Sequence, residues 1–444
     1  MPDKTIERLA APKAPPFAVP GWIRPLPVPG GRHRIAGGWA GFDAVDLLQR
    51  DGGSYSISRT TPEEILATAA DRDAATAALD RLTAPRPAFA GLSMDRPHIM
   101  GILNVTPDSF SDGGRHRIAG GWACFDAVDL LQRDGGSYSI SRTTPEEILA
   151  TAADRDAATA ALDRLTAARP AFAGLAMDRP HIMGILNVTP DSFSDGGRHS
   201  GPARAVAAGR AMAEAGASII DIGGESTRPG AEPVTRNQEL VRVLPPIAGL
   251  TSADVPLSID TRHAEVMQRA TAAGAKIIND VNGLRGDGAL DAAADSGGAV
   301  VIMHMQGTPE MMQAAPSYGF APVEIYEFLE DRIEAALAAG LPRERIAVDP
   351  GFGFGKTVQH NLALVNFAAM FHGLGVPVLI GVSRKSSIAA MSNGEDSDNR
   401  LAGSLGLAMA TVVQGCQLLR VHDVAETRQA LAIQTALAGG ADAG

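Results

Sequence analysis

From Pro180 onward the chain repeats one pattern: a short apolar run, a polar turn, then an Ala-rich stretch of helical periodicity. Short apolar runs separated by helical segments read as buried parallel strands joined by crossover helices. Eight such runs occur, at His181–Asn187, Ser218–Ile222, Leu257–Asp260, Lys276–Asn279, Ala299–Met303, Ile346–Asp349, Val378–Val382 and Gln417–Val421. Eight βα units favour closure over an open doubly wound sheet, and a barrel of about 250 residues fits the remaining span. The expected fold class is therefore α/β, a TIM-type (β/α)8 barrel over residues 180–440 behind a small extension.

Barrels of this kind build their sites from the C-terminal strand ends and the loops that follow. Polar residues stand at nearly every such end: Asn187 to Asp195, Gly224 to Gly230, Asp260-Thr261-Arg262, Asn279-Asp280, His304 to Pro309, Asp349 to Lys356, Ser383 to Ser386, and Arg420-Val421-His422-Asp423. All eight converge on one mouth. Gly353-Phe354-Gly355-Lys356-Thr357 resembles the tail of a phosphate-cradling loop, but Pro350 stands where that motif's first glycine belongs, which excludes a P-loop.

Upstream of the barrel the segment starting at Gly30 returns 83 residues later at Gly113, with three differences: Gly41 against Cys124, Pro85 against Ala168 and Ser93 against Ala176. Two near-identical copies signal a tandem duplication, since a solenoid needs three or more units. The expected organisation is a tail over 1–29, a first copy over 30–112, a second copy of the extension over 113–179, and the barrel over 180–440. Each copy reads as a Trp-Phe segment with a short strand (Trp39–Leu48, Trp122–Leu131) and a helix opened by Thr-Pro-Glu-Glu. The first copy also duplicates the first barrel strand and loop, so Asn104 is a twin of Asn187. Only one twin fits a barrel. Copy two continues directly into the helix near Gly201, which favours Asn187, and strand exchange between the copies stays open because loop closure costs little more for long loops.

The formal net charge of -11 argues against nucleic acid or an anionic membrane as partner. No apolar run approaches the roughly 20 residues of a membrane span. The N-terminus, Met1-Pro2-Asp3-Lys4, lacks the apolar core of a signal peptide. Two cysteines, Cys124 and Cys416, form neither a disulfide framework nor a metal cluster, which suits a reducing cytoplasm.

Taken in order, the eight strand-end segments resemble dihydropteroate synthase, the folate-pathway enzyme family that sulfonamides inhibit, over about residues 180 to 437. The extension resembles one found ahead of the barrel in some bacterial members. The resemblance implies condensation of a dihydropterin methyl diphosphate with 4-aminobenzoate, small-molecule substrates only, Mg²⁺ as cofactor and a homodimer. It implies catalytic roles for Asp260, Asp349 and Lys385. Asp260, Asn279 and Asp349 match the residues that grip the pterin edge, whose row of N–H donors suits carboxylate and amide acceptors. Lys385 matches the pterin's point-charge donor, Arg420 and His422 the diphosphate pair, and Asn187 the position that helps hold Mg²⁺. Thr227 matches a pterin contact. The 4-aminobenzoate side falls to Phe193, Thr227, Arg228, Pro229 and Ser386, with Asp191 and Asp195 beside them. If diphosphate leaves before the amine attacks, fixed anions stabilise the cationic methylene.

Structural salt bridges are the alternative for the barrel-end acids, a solvated surface lysine for Lys385, and a purely structural histidine for His422. Two other functions fit the pattern less well. Pterin-binding corrinoid methyltransferases share the barrel but need no diphosphate site, against which Ser383 to Ser386 and Arg420 to Asp423 argue. An inactive barrel with only a binding role is disfavoured by the retained site residues. One departure stands out: Ser386-Ser387-Ile388, where many members carry a bulkier middle residue, which bears on local packing. Because the duplicated segment abuts the first loop, altered sulfonamide sensitivity is a second hypothesis, which the sequence leaves open; equal inhibition constants with and without residues 30–112 would refute it.

Overall fold

The computed structural model describes residues 22–28, 32–34, 41–51, 54–69, 71–84, 116–117, 124–125, 128–134, 137–152, 154–188, 201–225, 234–307, 311–312 and 315–439. They divide into two compact units, Met1–Pro107 and Asp108–Gly444. No helix among the described residues is long and apolar enough to cross a membrane.

In the first unit, Gly41–Asp51 is the central strand of an antiparallel sheet, flanked by Trp22–Val28, His33–Arg34 and Ser54–Thr60. Trp22–Val28 carries Pro25 and Pro27 and lies at the edge, where missing N–H groups do least harm. Phe42, Val45 and Leu47 pack on Ile65 and Leu79 of two short helices, Pro62–Thr68 and Arg72–Thr83. The sequence reading expected one short strand and one helix in each copy. The hairpin is the antiparallel pairing of Gly41–Asp51 with Ser54–Thr60, and the second helix is set by Asp71, whose carboxylate caps Arg72–Thr83 by accepting from Ala74 N–H.

In the second unit the equivalent hairpin is Val128–Asp134 with Ser137–Thr143, followed by helices Pro145–Thr151 and Arg155–Thr166. Trp22–Val28 precedes the repeated segment, so the chain encodes that strand once and its partner strand twice. Arg155–Thr166 is tied to the barrel by Arg164, whose Nε donates to Gly373 O at 3.0 Å, and by buried Arg169, which donates to His372 O at 2.8 Å.

The barrel strands are β1 (His181–Asn187), β2 (Ile219–Gly223), β3 (Leu257–Asp260), β4 (Ile277–Asp280), β5 (Ala299–Met303), β6 (Ile346–Asp349), β7 (Leu379–Ile380) and β8 (Leu418–Val421). They pair in parallel around the ring from β6 through β1 to β8 and β7. A Val348↔Val378 bridge joins β6 to β7 and closes the barrel. The fold is the TIM-type barrel read from the sequence. Strand limits differ by a residue or two, and β7 is shorter than the apolar run Val378–Val382, because backbone pairing sets a strand's ends and apolarity does not.

The surrounding helices are α1 (Gly201–Ala215), α2 (Arg236–Leu250), α3 (Ala264–Ala272), α4 (Ala289–Asp295), α5 (Ala321–Ala338), α6 (Val358–Asn366), α7 (Ser386–Met391), α8 (Leu401–Val412) and α9 (Val424–Gly439). Alternate strand residues such as Ile220, Ile222, Ile259 and Ile278 face these helices. The others face the barrel axis, where Met183, Ile219, Ile277, Val301 and Leu418 fill the lower layer. Phe172 and Met177 of the extension pack into that layer and seal the barrel floor. They are held there by a tight turn in which Phe172 and Leu175 exchange both backbone hydrogen bonds across Ala173 (φ 48°) and Gly174 (φ 85°).

His372, under the Arg169 contact, is fully buried, and burial pushes its pKa down to about 3. The unfolded chain therefore binds a proton that the native chain refuses between about pH 6.5 and 3. The stability tied to neutral His372 is complete above that window and is lost as pH falls through it. Denaturant midpoints of a His372→Gln variant should decline less steeply from pH 7 to pH 4 than those of the parent; parallel declines would contradict this.

Candidate active site

The upper inward layer of the barrel is polar. Period-2 alternation places Asp221 and Gly223 of β2, Asp260 of β3, Asn279 of β4, Asp349 of β6 and Arg420 of β8 toward the axis. Asp221 is fully buried, and its Oδ2 accepts from Arg420 Nε at 2.6 Å and from Asn279 Nδ2 at 3.0 Å. Arg420 Nη2 donates to Asp260 Oδ2 at 2.5 Å. Four strands thus meet in one ionic cluster. Burial alone opposes the Arg420 charge, but the carboxylates of Asp221 and Asp260 outweigh it and hold its pKa above the ordinary value. Burial raises the Asp260 pKa; Arg420 draws it down and Asp221 adds to the rise.

The cluster fixes what each member can offer a ligand. The Asn279 amide spends an N–H on Asp221, which turns its oxygen outward as an acceptor. Arg420 commits two of its five N–H groups to carboxylates, so the rest of the fork is available to an anion. Asp349 accepts from Gly351 N–H at 2.7 Å, and burial raises its pKa. Asp280, adjacent to Asn279, faces away from the axis and caps its own turn by accepting from Asn282 N–H and Leu284 N–H at 2.7 and 2.8 Å. Burial pushes its pKa up to about 6.

Lys385 reaches this layer through a strained backbone. Arg384 has φ 57°, unusual for a residue with a side chain, at a cost of about 1–3 kcal/mol. Compensating contacts hold it: Nε and Nη2 clasp both oxygens of Asp423, Nη1 meets Asp398 at 2.9 Å, and its own N–H donates to Ser404 Oγ at 2.8 Å. The Lys385 ammonium then lies 4.0 Å from the centre of the Phe354 ring, a cation–π geometry.

His422 shares Ser383 with this turn. Ser383 Oγ is 3.0 Å from His422 Nδ1 and accepts His422 N–H at 3.2 Å. Burial, with Arg420 and Arg384 nearby, lowers the His422 pKa to about 4, so the ring is neutral at pH 7. With the Ser383 hydroxyl proton on Nδ1, Nε2 carries the ring proton and is a neutral donor. Lys356 is buried away from any phosphate cradle: its ammonium donates to Phe354 O at 2.9 Å and His304 Nδ1 at 3.0 Å. Burial lowers Lys356 to about 7 and His304 to about 2.

Asn187 ends β1 beside Gly223. Its Oδ1 and Asp260 Oδ2 each lie 3.7 Å from the point a Cβ on Gly223 would occupy. Asn187 Oδ1 is the hard oxygen donor at this strand end, since Asp260 Oδ2 already accepts from Arg420 Nη2. Among the described residues no group of three or more His, Cys, Asp or Glu could hold a metal. This donor set fits a cation that keeps most of its ligands from water and phosphate, the habit of Mg²⁺.

Of the residues singled out from the sequence, Asp260, Asn279 and Arg420 meet in the cluster around Asp221. Asp349 faces the axis from β6, Lys385 and His422 flank the cluster on adjoining strand ends, Asn187 ends β1, and exposed Ser386 opens α7. Phe193, Thr227, Arg228 and Pro229, with Asp191 and Asp195, lie outside the described residues. Sequence reasoning missed Asp221, which stands inside an apolar run, and the clamping role of Arg384. The available signal was parity: Asp221 is two residues before Gly223, on the same strand face.

Replacing Asp221 by Ala strands a buried guanidinium and an amide. A urea titration should show unfolding free energy reduced by ~3–5 kcal/mol; a loss under about 0.5 kcal/mol, the level of an ordinary surface change, would contradict the hub role.

The family described as pterin binding enzyme matches residues 183–422. The dihydropteroate synthase of Escherichia coli (strain K12) is 46% identical over 260 residues, covering 58% of this chain and 92% of that protein. The solved structure of Xanthomonas albilineans dihydropteroate synthase with 4-aminobenzoic acid is 49% identical at a TM-score of 0.58, covering 60% of this chain and 97% of the other. That of Yersinia pestis dihydropteroate synthase with a sulfonamide drug is 46% identical at a TM-score of 0.57, covering 59% and 95%. The matched span holds the whole inward polar layer, and the chain belongs to the pterin-binding enzymes, in the dihydropteroate synthase family.

Proposed function

We infer that this chain is a transferase that condenses (7,8-dihydropterin-6-yl)methyl diphosphate with 4-aminobenzoate, giving 7,8-dihydropteroate and diphosphate. The observation that carries it is the inward row of acceptors: Asp260 and Asn279, locked by Arg420 and Asp221, and Asp349, held by Gly351 N–H within the electrostatic reach of Lys385. A pterin edge presents N–H donors in a plane, and its far side presents a carbonyl oxygen and a ring nitrogen. Carboxylates and an amide oxygen suit the first, and an ammonium suits the second.

The remaining roles are part of the same proposal. Diphosphate lies toward Arg420 and the neutral Nε2–H of His422. Asn187 would help hold Mg²⁺, and the ion, when bound, would neutralise charge on the leaving group. The C–O bond to diphosphate breaks first, leaving a cationic methylene whose charge favours and is stabilised by the ionised forms of Asp260 and Asp349. The amine nitrogen of 4-aminobenzoate then bonds to that carbon and gives up a proton. Phe193, Thr227, Arg228, Pro229 and Ser386 receive 4-aminobenzoate, and Thr227 also touches the pterin. A homodimer in the cytoplasm, acting on small molecules without nucleic acid or membrane, completes the reading. Relatives this similar in sequence are dihydropteroate synthases, which favours this reaction over corrinoid methyl transfer.

The test is product formation by the purified chain with both substrates and Mg²⁺. Dihydropteroate and diphosphate should appear in equal amounts, and Lys385→Ala should lower kcat/KM by about 10²-fold or more, as expected on loss of a charged contact at the reacting ring. No product from the parent, with or without residues 30–112, would overturn the reading.

A further inference from the structure

Ser387 is buried on α7, two residues beyond Lys385. Its hydroxyl accepts from Asn361 Nδ2 at 2.9 Å. Asn361, 1% exposed on α6, accepts in turn from Gly353 N–H at 2.8 Å. Gly353 (φ 83°) lies directly under the Lys385 chain: a Cβ there would sit 3.1 Å from Lys385 Cδ. Its neighbour Phe354 supplies the ring beneath the ammonium. Three residues therefore close a loop: the turn that projects Lys385 is bonded, through Ser387 and Asn361, to the segment on which Lys385 rests.

We propose that Ser387 is a positioning residue, which through Asn361 holds the Gly353–Phe354 segment against Lys385 and so sets where its ammonium meets the pterin. The proposal rests on the reaction inferred above. The bond between Asn361 and Ser387 is buried, so removing the hydroxyl leaves an Asn361 N–H without its acceptor. The amide then turns to find another acceptor, and Gly353 N–H loses its own. On the other side of the turn Arg384 is held independently by Asp423, Asp398 and Ser404. The backbone at Lys385 and Ser386 therefore persists, while the surface under Lys385 loosens. The expected loss falls on the pterin substrate and spares 4-aminobenzoate.

The experiment compares the full chain with its Ser387→Ala and Ser387→Thr variants, measuring KM for both substrates and direct binding of the pterin diphosphate by calorimetry. Ser387→Ala should weaken pterin binding about fivefold, part of what one buried hydrogen bond is worth, with KM for 4-aminobenzoate within about twofold of the parent. Ser387→Thr, which keeps the hydroxyl, should restore the parent value. Unchanged pterin affinity in Ser387→Ala overturns the proposal, as does an equal rise in both KM values with a lowered melting point, the pattern of a purely structural residue. Should Ser387→Ala not fold, Ser387→Cys, nearly isosteric but a weak acceptor, must show the same selective loss for the proposal to stand. A parent chain that makes no dihydropteroate would instead count against the reaction.

Discussion

The buried pairing of Arg420 with Asp221 and Asp260 is the constraint around which the barrel mouth is organised. A guanidinium on the eighth strand satisfies carboxylates on the second and third, and the shared oxygen of Asp221 also orients the amide of Asn279 on the fourth. Removing charges from water costs several kcal/mol per ion, a cost offset here by close opposite charges and the hydrogen bonds they share, although Asp221 Oδ1 itself has no hydrogen-bond partner among the described residues. The gain is rigidity. The acceptors need not reorganise as positive charge develops on a bound ring, which is the condition under which fixed dipoles and charges stabilise a transition state.

Around that cluster, two backbone devices carry residues that the strands alone would not deliver. The left-handed Arg384 turns the chain so that Lys385 points back over the mouth, and its side chain holds the turn through Asp423. At the opposite end of the barrel, the left-handed pair Ala173 and Gly174 lets Phe172 fold inward and fill the lower layer. Both lie outside the strands, where side-chain direction is not dictated by alternation.

That division explains what the sequence could reveal. The eight strands were legible because apolar runs and helical stretches alternate without interruption, and the ends were legible because polar residues at Asn187, Asp260, Asn279, Asp349 and Arg420 break those runs. Asp221 was hidden inside a run that otherwise reads as core, since a single acid amid isoleucines carries no sign of its partner 199 residues away. Ser387 was visible only as a departure; that it bonds to Asn361 depends on how two helices meet. Phe193, Thr227, Arg228 and Pro229 remain expectations carried by the resemblance.

Among the described residues, the barrel takes its floor, its first strand and its Arg169 anchor from the second copy of the duplicated segment. Gain or loss of whole 83-residue units upstream leaves His181 to Asn187 joined to the same α1. The duplication therefore lengthens the chain ahead of the barrel without altering the sequence that runs from the floor residues through β1 into α1.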